Sequence, residues 1–210
     1  MKKIELAMLV GMIISVFSAG FCGFAEGYDG ITDKLFRLHI LANSDSEADQ
    51  SLKLKVRDAV LENCSYLFES CENAEQSAAA ANENMDEIQR VAEQTLSENG
   101  SDYRVSCEVT EMYFDERVYG AATVPAGEYS ALRITIGEAK GKNWWCVMFP
   151  PLCIPVATET AEELSEYSDV FTVEEIEMLS NPENYECKFY IAELIEKLKQ
   201  YFDKKRTENL

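Results

Sequence analysis

The sequence predicts an α+β fold: a mostly antiparallel sheet, made of one N-terminal strand plus a three-stranded meander, with helices packed on one face and terminal helices. Three observations predict it. Residues from Lys34 to Leu41 alternate apolar and polar, two stretches with apolar residues three and four apart follow, and alternation returns between Tyr103 and Phe149.

In the first strand Phe36, Leu38 and Ile40 alternate with Arg37 and His39, the pattern of a half-buried strand. Asn43-Ser44-Asp45-Ser46 stops it with side chains that cap helices, and Glu47 or Asp49 suits the positive end of the helix that follows. That helix is expected from about Glu47 to Glu69, carried by Leu52, Val56, Val60, Cys64 and Phe68. A second is expected from about Ala74 to Ser97. Its inner face begins with the small residues Ala74, Ala78 and Ala81, and Asn99-Gly100 closes it.

Val105, Cys107 and Val109 share one face of the next strand, and the phase slips near Met112 and Tyr113, which reads as a bulge. After Pro125-Ala126-Gly127 a strand carries Leu132, Ile134 and Ile136 on one face. Gly137 to Lys142 reads as a hairpin connection into Trp144–Phe149, which Pro150-Pro151 ends. Trp144 and Trp145 point to opposite faces. The acidic stretch from Thr158 to Glu186 has short helical patterns around Glu159–Tyr167 and Val173–Leu179, broken by Asn181-Pro182, and is expected to be a mobile or variable surface. A last helix, about Cys187 to Phe202, should dock on the core. Residues 26–156 thus read as the core domain, and 157–210 as an acidic segment and C-terminal helix packed on it.

Met1-Lys2-Lys3, an uncharged apolar stretch from Leu6 to Phe24, and small residues before a cut after Ala25 read as a signal peptide. The apolar stretch is also near the length of a membrane span, so 1–25 is either a signal peptide or a retained membrane anchor. The net charge of −19, from 38 acidic and 19 basic residues, argues against nucleic acid and against anionic lipid surfaces.

Six cysteines follow the leader: Cys64, Cys71, Cys107, Cys146, Cys153 and Cys187. Cys64 and Cys71, read as lying on one helix, would be about 10.5 Å apart along its axis against a roughly 7 Å limit for bridged Cα atoms. They are expected as free core thiols. Cys146 and Cys153 form the first disulfide to expect in an exported chain; the alternative is two buried thiols. Of the four others the pairing stays open.

Catalytic chemistry finds little to use. The single histidine, His39, sits opposite the apolar face of its strand, and no glycine-framed serine accompanies it. No cluster has zinc-ligand spacing, Glu162-Glu163 and Glu174-Glu175 read as solvated carboxylates, and no phosphate-cradling glycine loop follows a strand. The expectation is a protein that is not an enzyme, with no cofactor, no metal and no small-molecule substrate; an exported hydrolase with an unrecognised site and a structural envelope protein are the alternatives. One local anomaly is the cationic cluster Lys53, Lys55 and Arg57 beside Arg37 and His39, which reads either as an ordinary solvated face or as a docking patch for an acidic partner surface.

Two long motifs carry a resemblance. The run Arg37-Leu38-His39-Ile40-Leu41-Ala42-Asn43-Ser44-Asp45, continuing through Asp49-Gln50 and Leu52 to Val60, resembles the opening motif of the stage II sporulation protein R family. Gly141-Lys142-Asn143-Trp144-Trp145-Cys146 through Cys153 is similar to the family's second motif, with Gly127-Glu128-Tyr129 between them. The resemblance implies a signalling protein of sporulation, made in the forespore and exported into the space between the forespore and mother-cell membranes. It further implies a role in activating a membrane-embedded sporulation aspartic protease that processes pro-sigma factor E. The resemblance assigns no contact residues. From charge and placement, the expected partner surface is Arg37, His39, Asn43, Asp45, Lys53 and Arg57.

Overall fold

The structure, a computed structural model, describes residues 27–150 and 167–185 and a few isolated positions outside them. The expected leader or anchor at 1–25, the 159–166 helical pattern, Cys153 and the helix at about 187–202 lie outside these two stretches.

Residues 27–34 are helical (α1) and lead into β1, Phe36–Leu41. Ser46 caps α2, Glu47–Cys64, by accepting a hydrogen bond from the Asp49 amide at 3.1 Å. The helix stops short of the expected Glu69, and a 3-10 turn at Ser65–Leu67 carries the chain on. The expected second helix is two, α3 (Ala74–Glu83) and α4 (Met85–Glu98). Asn84 breaks it: its amide donates both from the backbone (3.1 Å) and from the side chain (2.8 Å) to the Ala80 carbonyl, while its own carbonyl starts the next turn. Strands β2 (Val105–Phe114), β3 (Arg117–Tyr119), β4 (Ala122–Val124), β5 (Gly127–Ile136) and β6 (Asn143–Phe149) follow, then α5 (Val173–Ser180).

The architecture is α+β, but the sheet is mixed rather than a meander. Its order is β2-β5-β1-β6, with β1 parallel to β5 and antiparallel to β6, while β3 and β4 form a separate two-stranded ribbon. The expected hairpin between β5 and β6 is absent because β1 inserts between them. A parallel β1–β5 pair needs a long crossover, which α2 to α4 and β2 supply.

Both faces of the sheet are covered, not one. Leu38, Ile40, Leu132, Ile134 and Ile136 pack against Val56, Val60, Ile88 and Leu96 of α2 and α4. On the opposite side Phe114, Tyr129, Ala131 and Val147 pack with Tyr28 and Ile31 of α1 and with Phe171, Met178 and Leu179. The stretch around α5 is therefore part of a core rather than the expected mobile surface. Thr172 and Glu175 close a capping box, and buried Glu175 accepts from Lys34 Nζ at 2.7 Å, tying α5 to α1.

This second core explains the phase slip in β2. The register from Val105↔Ile136 to Phe114↔Gly127 runs without a bulge. Val105 and Cys107 face the helical core, whereas Met112 and Phe114 face the second core, so it is the buried face that changes along the strand. Trp144 and Trp145 divide between the two cores as alternation requires.

Candidate partner-contact site

The segment between β1 and α2 is held by side chains of its own. Asp49 is buried and accepts Ser44 Oγ at 2.5 Å and Asn43 Nδ2 at 2.9 Å. Those two bonds, Ser44 first, hold its carboxyl below the usual carboxylate range against the opposing effect of burial.

The same segment is locked to the loop between β5 and β6. Asn43 Oδ1 accepts the Glu138 amide at 3.0 Å, and Asp45 Oδ1 accepts the Lys142 amide at 2.7 Å. Backbone bonds from Lys140 to Asn43 (3.1 Å) and from Gly141 to Ala42 (2.9 Å) lie between them. Gly137 has φ +60°, and a Cβ there would strike the Asn43 side chain; a Cβ at Gly141 would strike the Ser44 carbonyl. Lys53 reaches across from α2, donating to Gln50 Oε1 at 2.7 Å and to the Lys142 carbonyl at 2.9 Å. Burial pushes its ammonium below the usual lysine value, with Asp45 opposing the shift.

On the second face of the sheet the register sets Glu108, Arg133, His39 and Trp145 in one row across four strands. His39 stacks flat on Trp145, ring centroids 4.0 Å apart, and Phe114 meets both rings edge-on. Burial pushes the imidazole down to about 4, with Asn143 opposing, so it is neutral at physiological pH. One residue pair along, Arg37 is fully buried among the rings of Phe114, Tyr129 and Tyr119.

A family model described as stage II sporulation protein R matches residues 32–159. The chain belongs to that family. Over 123 residues it is 40% identical to the stage II sporulation protein R of Bacillus subtilis (strain 168), an alignment covering 59% of this chain and 55% of the relative. The chain thus spans about half the length of the curated relative it matches. No solved structure matches. The stretch matched to the stage II sporulation protein R family takes in the whole sheet and both halves of the lock.

Of the six residues expected at a partner surface, the fold brings three together. Asn43, Asp45 and Lys53 meet at the lock, where their polar atoms bond within the chain. Arg37 and His39 do not join them: both point into the second core, because β1 is central and buried on both faces. Arg57 lies on the helical side, its guanidinium 4.3 Å from the Trp144 ring and 2.6 Å from Asp58. Asp45 and Arg57 keep exposed atoms, whereas Arg37, His39 and Lys53 are buried. The expected single cationic patch is therefore not formed. Sequence reading missed Gly137, Gly141 and Lys142 as partners of Asn43 and Asp45, although two glycines flanking a short loop were a signal of close backbone approach.

Cys64 and Cys71 are free, as is Cys107. Cys64 and Cys107 both belong to the helical core, and burial pushes their thiols up to about 11 and about 12. Cys146 is disulfide-bonded.

Proposed function

We propose that this chain is an exported signalling protein of sporulation, made in the forespore and required to activate the membrane-embedded aspartic protease that processes pro-sigma factor E in the mother cell. Membership of the stage II sporulation protein R family carries the reading. Export would place the domain in the intermembrane space, with residues 1–25 as a cleaved signal peptide or an anchor. The protease is its partner in this reading, reached by protein contact rather than by chemistry on a small molecule. Cys153 is the proposed partner of Cys146.

The local geometry supports a binding role. His39, the one histidine of the chain, is stacked between rings below the surface, out of reach of a substrate. The exposed atoms of Asp45 and Arg57 are the part of the expected contact surface that a partner meets first.

The test is complementation. The chain is expressed in a Bacillus subtilis strain deleted for its own stage II sporulation protein R, and pro-sigma factor E cleavage is followed by immunoblot. Restored cleavage supports the proposal. Export of folded chain without cleavage overturns it.

A further inference from the structure

Arg37 is the largest fully buried side chain among the described residues, and no ion pair among those residues includes its guanidinium. Its Nη2 donates to Tyr119 Oη at 2.6 Å, while Nε and Nη1 are buried with no hydrogen-bond partner. Asp115 and Glu116, which follow Phe114 in sequence, are exposed, and neither forms an ion pair with Arg37. The Phe114 ring at 4.1 Å and the Tyr129 ring at 4.8 Å offset part of the desolvation through cation–π contact. They leave donors that an aromatic face does not satisfy. In a chain with twice as many acidic as basic residues, a buried cation with no carboxylate partner among the described residues is the opposite of what charge balance provides.

One of the rings around this cation, Tyr119, comes from the short β3–β4 ribbon. Tyr119 ends β3, the outer strand of a two-stranded ribbon with strands of three residues, and such a ribbon is marginal alone. β4 is buried and anchored, whereas β3 carries exposed Arg117 and Val118, the latter 68% exposed. A displacement of β3 withdraws Tyr119 Oη from the guanidinium, and exposed Arg117 and Val118 sit on the same strand.

We propose that Arg37 is a latent receptor for a carboxylate, the side chain of an aspartate or glutamate on a protein partner, with Tyr119 holding its place until the β3–β4 ribbon opens. The phenol oxygen stands where one carboxylate oxygen would bind, and Nε and Nη1 are the unused donors of a planar fork suited to two-point recognition. A protein source fits β3, where exposed Val118 gives an apolar contact that a free small acid would not use. The inference rests on the proposed partner contact only for the occupant; the site itself stands on the buried geometry.

The experiment observes the Arg37 Nε–H resonance in the isotopically labelled full chain. It is titrated with acetate, with acetyl-Gly-Glu-Gly-amide and with the Gln counterpart of that peptide, at constant ionic strength. The Glu peptide is expected to shift the resonance at about tenfold lower concentration than the Gln peptide or acetate. Tyr119→Phe should tighten the Glu peptide several-fold, and Arg37→Lys, which keeps the charge without the fork, should weaken it. Equal response to acetate and the Glu peptide overturns the protein source. No shift with any probe, in the wild type or in Tyr119→Phe, overturns the site. None of these readings depends on the protease, so failure here is distinct from failure of complementation.

Discussion

Asp49→Ala isolates the energy of the lock around the start of α2. The substitution removes the acceptor of Ser44 Oγ and Asn43 Nδ2, and it leaves the half-buried Asn43 amide with one partner fewer. Hydrogen bonds to a charged acceptor contribute about 1.5–3 kcal/mol each, and both donors can recover part of that from water, so a net loss of about 2–4 kcal/mol is expected. In a chain of this size that corresponds to a fall in melting temperature of roughly 4–16 °C. Because the folded carboxyl is held below its unfolded value, its contribution is complete above the unfolded value and disappears as pH falls through the folded one. The acid limb of the stability curve should therefore flatten in the variant. Urea unfolding of wild type and variant at pH 7 and at pH 3.5 measures both effects. A loss under about 0.5 kcal/mol at pH 7, within the range of an ordinary surface substitution, with an unchanged acid limb, would refute the lock as an energetic unit.

Gly141→Ala should destabilise by about 1–3 kcal/mol, since its Cβ meets the Ser44 backbone rather than a movable side chain; chemical denaturation checks this. The His39 imidazole, depressed to about 4 against an unfolded value near 6.5, stays neutral in the fold while the unfolded chain takes up a proton. Stability attributable to it is therefore flat above about pH 7 and falls as pH drops from about 6.5 to about 4, a slope that His39→Phe should remove and that NMR titration of the ring reports directly. The thiols of Cys64 and Cys107 should resist a disulfide reagent at pH 8 in the native state and react only on unfolding, which a thiol count with and without denaturant decides. Leu38→Ala, at the centre of the helical core, should cost about 2–5 kcal/mol without altering the β3–β4 ribbon.

Local signals located most elements. The alternation of Phe36, Leu38 and Ile40, the capping cluster ending at Ser46, and the run Leu132, Ile134, Ile136 each correspond to an element in the fold. The sheet order was not legible, because a loop of six residues between two strands looks the same whether the strands pair or admit a third. What separates the alternatives is long-range: Asn43 and Asp45 bond to amides almost a hundred positions away. The burial of Arg37 and His39 was hidden for a related reason. Arg37 and His39 read as the wet side of a half-buried strand, since alternation of charge with hydrophobe is the usual mark of water, and nothing local announces Phe114, Tyr129 and Trp145 as their cover. The break at Asn84 was likewise hidden in a sequence whose apolar spacing continues through it.

The central place of β1 orders events in time. Arg37 pairs with Ala131 and Val147, so the first strand to emerge during synthesis waits for the last two before it has a neighbour on either edge. Helices α2 to α4 can form meanwhile, but their apolar faces have no sheet to rest on. Under the proposed export, a chain threaded N-terminus first would stay unfinished until the segment ending at Phe149 had passed. Folding then closes around a strand that has been waiting throughout, which favours slow, all-or-none completion over stepwise growth.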